Sequence, residues 1–208
     1  MDYYGTYKYH LPMVPAERNI NYIIKQFTET NIDHVLSGKY DLLISPIYRN
    51  DSNQYFYQPI FDIDFKLSSR GTAFLLVKKF IEYNKKIASN IIVEYTGSGF
   101  HLVLNKAYKI DLEDLPKFRS KCNIYRSELD CTSSFRSTPI RRIGGIRNGK
   151  VIIPIPISFF LTSQPKDLPI IKDHLSFASK KEWIVLLKKY LVPKYFIEEK
   201  FDIQILDF

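Results

Sequence analysis

The run from Tyr55 to Phe65 constrains this chain more than any other stretch. Tyr55, Tyr57, Phe61, Ile63 and Phe65 fall on one side of a two-residue period, and Gln58, Asp62 and Asp64 fall on the other. Alternation of this kind, rich in aromatics, predicts a strand with one face in a core. On such a strand the carboxylates of Asp62 and Asp64 point the same way, with Cα atoms ~6.6 Å apart at a rise of ~3.3 Å per residue. Their oxygens can come within ~5 Å, where like-charge repulsion is ~3 kcal/mol at an effective dielectric of about 20. A divalent cation removes that penalty, and hard ions such as magnesium take oxygen ligands. A solvated Asp-x-Asp at a strand end is the alternative that this stretch alone leaves open.

With 208 residues, the chain has room for one large core. Net charge is +8 and the pI is near 9.3, which favours a polyanionic partner, nucleic acid before an acidic membrane. No apolar run reaches the ~18 residues of a transmembrane helix. The start, Met1-Asp2-Tyr3-Tyr4-Gly5, lacks the basic and apolar regions of a signal peptide. An intracellular, cytoplasmic protein with no membrane partner is expected. Cys122 and Cys131 form no Cys-x-x-Cys, so neither a zinc knuckle nor a disulfide framework is indicated.

Residues 1–14 read as an irregular arm, followed by an amphipathic helix over 15–28 and a short helix or turn over Ile32 to Leu36. Tyr40 to Tyr48 reads as a strand in which Pro46 marks an edge or bulge. A helix is predicted over 70–88, from the spacing of Ala73, Val77, Phe80 and Leu76, Tyr83, Ile87. Ile91 to Tyr95 and Phe100 to Leu104 are strands around a tight turn. After Asp111 a helix to about Cys122 and a short strand over Tyr125 to Asp130 follow. Ile140 to Ile157 reads as two strands around Asn148-Gly149, the second confined to an edge by Pro154 and Pro156. Residues 164–176 are loop-like, and the Ser179/Glu182 capping box opens a helix to about 191. The tail 192–208 carries no clear signal. Helices and strands intermix, giving α+β or α/β without an internal domain boundary.

Three further stretches carry possible chemistry. In Thr96-Gly97-Ser98-Gly99-Phe100-His101, two glycines let turn amides approach an anion, and a histidine follows on the next strand. A plain hairpin turn is the bland alternative. Leu129-Asp130 places an acid after a possible strand. In Arg141-Arg142-Ile143-Gly144-Gly145-Ile146-Arg147-Asn148-Gly149-Lys150, cations bracket a glycine-rich hairpin suited either to clamping phosphate or simply to solvent.

In this order the stretches resemble the archaeo-eukaryotic primase (primase-polymerase) superfamily. That family carries an Asp-x-Asp at a strand, a Ser-Gly-x-Gly-x-His turn and a later hydrophobic-Asp. Here the matches are Phe61-Asp62-Ile63-Asp64-Phe65, Thr96 to His101 with Thr96 for the usual serine, and Leu129-Asp130. The Arg142 to Lys150 segment resembles the basic stretch that often follows. The resemblance implies an α+β catalytic domain over 1–208: an RRM-like antiparallel or mixed sheet joined to a second α/β unit. Its core spans 40–157, and a helical extension spans 179–208.

It also implies template-directed nucleotidyl transfer with two magnesium or manganese ions held by Asp62, Asp64 and Asp130. Thr96, Gly97, Ser98, Gly99, His101, Arg142 and Lys150 would hold the nucleoside triphosphate. Implied partners are a single-stranded DNA template and primer, and a larger primase subunit or helicase. No zinc is expected, since the family's zinc-binding element is missing. One rival is a non-catalytic accessory subunit that binds single strands through Tyr55 and Tyr57. Another, a replication-initiator nuclease, lacks the second histidine it needs in His101-Leu102-Val103.

Overall fold

The computed structural model describes residues 7–10, 41–44, 46–49, 52, 54–65, 70–114, 131–135, 140–143, 146–147, 150–168 and 193–200. The elements expected over 15–28, 32–36, 115–130 and 179–191 lie outside the described residues. The described part is mixed α+β, built on antiparallel and mixed sheets.

A five-stranded antiparallel sheet holds the Asp-x-Asp strand at its heart. Its order is β13 (Ile153–Ile155), β6 (Ile91–Tyr95), β7 (Gly99–Leu104), β5 (Ile60–Phe65) and β9 (Cys131–Phe135). Alternation then sorts the residues between two faces. Phe61, Ile63, Val93, Tyr95, Phe100 and Leu102 share one face. Helix α1 (Arg70–Tyr83) covers it with Ala73, Phe74, Val77, Phe80 and Ile81, which recur at helical spacing and are buried. Phe61 stacks on Phe80 at 6.2 Å between centroids.

The helix is shorter than the expected 70–88. The Asn84 side chain turns back to donate to the Phe80 carbonyl at 2.9 Å, satisfying an acceptor of the last turn, and Lys85–Asn90 continue as a 3-10 helix. A second helix, α2 (Ile157–Thr162), begins where the strand was expected to run on to Ile157. Pro156 has no N–H to give a sheet and precedes the helix instead. Phe160 of α2 seals the core against Phe74 at 5.0 Å and Phe100 at 5.6 Å. Pro154 lies on an edge strand, as proline requires.

Two strands read as continuous in the sequence are each split between sheets. The Tyr55–Phe65 run breaks at Gln58-Pro59 into β4 (Tyr55–Tyr57) and β5. The Tyr40–Tyr48 run breaks at Ser45-Pro46 into β2 (Asp41–Ile44) and β3 (Ile47–Arg49). Strand β4 belongs to a four-stranded sheet, ordered β14 (Tyr195–Lys200), β8 (Lys106–Ile110), β4 and β3. Strand β2 lies between β1 (Tyr7–His10) and β10 (Ile140–Arg141) in a three-stranded sheet. A hairpin of β11 (Ile146–Arg147) and β12 (Lys150–Val151) flanks the expected Asn148-Gly149 turn.

The N-terminal arm, expected to be irregular, contains a paired strand, since Tyr7-Lys8-Tyr9-His10 lies in register with Ile44 to Asp41. The extension expected to be helical contains β14, which runs parallel to β8 and packs Phe196 edge-on to Phe56 at 5.4 Å.

Candidate active site

The sheet face opposite α1 carries the polar residues, in rows fixed by strand register. Asp62 lies across from His101, His101 across from Glu94, and Asp62 on its other side across from Ser134. One row along, Asp64 faces Gly99 and Thr132. A further row in the opposite direction pairs Ile60 with Val103, and Val103 with Ile92, all buried. Along this face the environment changes from closed to open. Asp62 and His101 are each 4% exposed, whereas Asp64 and Ser98 are solvent-exposed.

The turn between β6 and β7 closes with Thr96 N–H donating to the Gly99 carbonyl at 3.0 Å. Gly97 takes a φ of 81°, a region that glycine enters without steric cost. The Ser98 amide donates to Thr96 Oγ1 at 3.3 Å, so the hydroxyl that stands in the usual serine position organises the turn. Gly99 meets a different demand. A Cβ there would sit 2.5 Å from the Ile63 carbonyl oxygen and 3.2 Å from Asp64 Oδ1. Its bare backbone lets β7 approach β5 closely beside the Asp64 carboxylate.

His101 lies between two acids. Its Nδ1 is 3.0 Å from Glu94 Oε2, and its Nε2 is 3.6 Å from Asp62 Oδ1. Glu94 is completely enclosed, and its other oxygen accepts a 2.6 Å bond from Arg142 Nε. Burial works to raise the Glu94 carboxyl, but the Arg142 guanidinium and the His101 hydrogen bond outweigh it and hold the group below its ordinary range. Glu94 is therefore an anion here and can only accept.

Arg142 is also completely enclosed, and its Nη1 donates to Gln58 Oε1 at 3.3 Å. Gln58 Oε1 takes a second bond from the Tyr48 hydroxyl at 3.0 Å, and Gln58 Nε2 donates to the Leu104 carbonyl at 2.9 Å. Burial pushes the Tyr48 phenol up to about 12 against the pull of Arg142.

The structure thus brings together Asp62, Asp64, Thr96, Gly97, Ser98, Gly99 and His101. Arg142, expected to clamp phosphate, instead has its guanidinium enclosed within the protein and engaged with Glu94 and Gln58. Lys150 contributes its backbone to β12, and its side chain lies outside the described residues, as does Asp130. Among the described residues, no three carboxylate, histidine or cysteine side chains form a group that could hold a metal ion. Tyr57, read as a stacking platform for bases, is 1% exposed and part of the core.

Glu94, Gln58 and Tyr48 escaped the motif reading. The signal for Glu94 was an acid inside the apolar strand Ile91-Ile92-Val93-Glu94-Tyr95, where a buried charge demands a cation.

No protein-family model matches the chain, and a search of curated proteins finds no match. Among the described residues no helix is long and apolar enough to cross a membrane.

Proposed function

We propose that this protein is a nucleotidyltransferase and, more particularly, a primase-polymerase that makes or extends primers on single-stranded DNA. The observation that carries the reading is register: Asp62 opposite His101 and Asp64 opposite Gly99 put an acid pair and a glycine turn, 30 or more positions apart in the chain, on one face of one sheet.

The donor chemistry fits divalent ions. Asp62 and Asp64 are oxygen donors on one face, and Asp64 is open to solvent. By resemblance Asp130 would complete the set; it immediately precedes Cys131, which pairs with Phe65 at the end of the Asp-x-Asp strand. When bound, magnesium or manganese would supply activation of a primer hydroxyl and charge neutralisation on departing pyrophosphate. The chain's own residues orient and enclose. Asp62, enclosed beside His101, is fixed in direction, while Asp64 faces the open side from which a nucleotide enters. The glycine turn gives phosphate oxygens close backbone approach, and the surplus of basic residues favours the polyanionic template.

Extension of a primed single-stranded template, with magnesium or manganese and with ribo- or deoxynucleotides, tests the reading. Incorporation should be lost in the Asp62→Asn/Asp64→Asn double variant. Full incorporation by that variant refutes the reading, and template binding without incorporation under any condition supports an accessory subunit instead.

A further inference from the structure

The deepest charged group on the site face lies two strands from the Asp-x-Asp motif, across β7, and belongs to none of the three motifs. Resting on the nucleotidyltransferase reading, we propose that Glu94 is a positioning residue: anchored by Arg142, it fixes the ring of His101 with the proton on Nδ1 and Nε2 turned to Asp62.

The geometry builds this step by step. Glu94 and His101 are direct cross-strand partners on β6 and β7, so their side chains leave the sheet side by side. One Glu94 oxygen is held by Arg142 at 2.6 Å, and the second lies 3.0 Å from Nδ1. A carboxylate engaged by a guanidinium has only lone pairs to offer, so Nδ1 must be the donor. The ring has one orientation that meets this demand, and it directs Nε2 at Asp62 Oδ1, 3.6 Å away. Arg142 is itself steadied by Gln58, which Tyr48 and the Leu104 carbonyl hold in turn. The chain of contacts runs from the four-stranded sheet to the edge of the candidate ion site. Outer partners of this kind set which nitrogen of a histidine faces the chemistry, and losing one typically lowers activity about 10- to 100-fold.

Glu94→Gln tests this with little change of shape. The new amide can still accept from Arg142 through its oxygen, but it turns an N–H₂ toward Nδ1, and the ring proton must move to Nε2. Histidine-selective ¹⁵N labelling reads the change. The chain has four histidines, and loss of one signal set in His101→Gln assigns the relevant ring. The expected result is an Nδ1 proton in the wild type, an Nε2 proton with bare Nδ1 in Glu94→Gln, and kcat/KM for nucleotide incorporation lower by at least tenfold.

Glu94→Gln leaves Arg142 enclosed without an anion and can fail to fold; in that case Glu94→Leu/Arg142→Met removes both charges and the acceptor facing Nδ1, and the ring proton again moves to Nε2. A bare Nδ1 in the wild type overturns the proposal, and so does an Nδ1 proton that survives either variant. An inverted ring with wild-type incorporation overturns it alone, leaving the functional reading intact. A wild type that incorporates no nucleotide overturns the proposal together with that reading.

Discussion

Replacing Gly99 with alanine puts a methyl group where β7 has no room for one. The new Cβ would lie 2.5 Å from the Ile63 carbonyl oxygen, about 0.9 Å short of the 3.4 Å at which ordinary contact begins. The obstructing atom is backbone in the neighbouring strand, so no rotamer change relieves it. β5 and β7 must separate, and overpacking of this kind costs about 1–3 kcal/mol. For a chain of this length the melting temperature falls by about 2–4 °C for each kcal/mol.

Asp64 Oδ1, at 3.2 Å from the same Cβ, is displaced as well. On the nucleotidyltransferase reading, nucleotide incorporation should fall with that shift. Gly71 on α1 is the internal control. Its added Cβ would meet only Pro165 Cβ and Cγ, both at 3.9 Å, which is ordinary contact. Gly71→Ala should therefore be neutral or stabilising by up to about 1 kcal/mol, through helix propensity and a less flexible unfolded chain. Urea melts of the two variants and the wild type, compared at equal slope, measure the stability difference, and primer extension measures the rate. If Gly99→Ala matches Gly71→Ala in stability and the wild type in incorporation, the close approach of β5 and β7 is not what this site requires.

Removing either member of the enclosed Glu94–Arg142 pair alone should cost about 3–5 kcal/mol, while Glu94→Gln/Arg142→Met costs less than the sum of the single variants; a double-mutant cycle by denaturation checks this. The Tyr48 phenol, raised from 10.0 to about 12, binds its proton more tightly folded than unfolded. Stability is therefore fully present below pH ~10 and falls by about 3 kcal/mol as pH rises to and through ~12, a slope that Tyr48→Phe removes in alkaline melts. Glu94 acts with the opposite sign. Its depressed carboxyl contributes stability above the ordinary 4.5, which is lost as pH falls through the lowered value, and acid unfolding of Glu94→Gln/Arg142→Met should lack that part of the transition. Phe160→Ala should cost about 3–5 kcal/mol and undock α2, since this ring alone on the helix is fully enclosed against Phe74 and Phe100; thermal melts read it.

Periodicity made the site strand legible, because a half-buried strand must alternate and the Phe61 to Phe65 stretch does. The same reasoning separated His101 from the apolar neighbours Phe100 and Leu102, and register then set it beside Asp62. Periodicity could not show where a strand changes sheets. Tyr55 to Phe65 keeps one phase through Gln58-Pro59, yet its two halves pair with β8 and β7 respectively. Proline was the available warning at both breaks, since Pro46 and Pro59 cannot donate to a ladder. The Glu94–Arg142 partnership stayed hidden for another reason: it spans 48 positions, a separation that no local pattern encodes. Strand β14, with exposed Tyr195, Glu198, Glu199 and Lys200, has no buried face of its own to announce it, and parallel pairing to β8 defines it.

The corner at Gln58 has a consequence for how the molecule comes apart. Its amide donates to the Pro46 carbonyl at 2.7 Å, and its side chain joins Tyr48, Leu104 and Arg142. One residue thus ties together the places where three stretches of chain cross from sheet to sheet. Neither the four-stranded nor the five-stranded sheet can fray at that seam without stranding desolvated polar atoms of the other, so these two should melt as a single cooperative unit. Hydrogen exchange at the Gln58 and Leu104 amides should then proceed only through global opening, with the same free energy as unfolding of the whole.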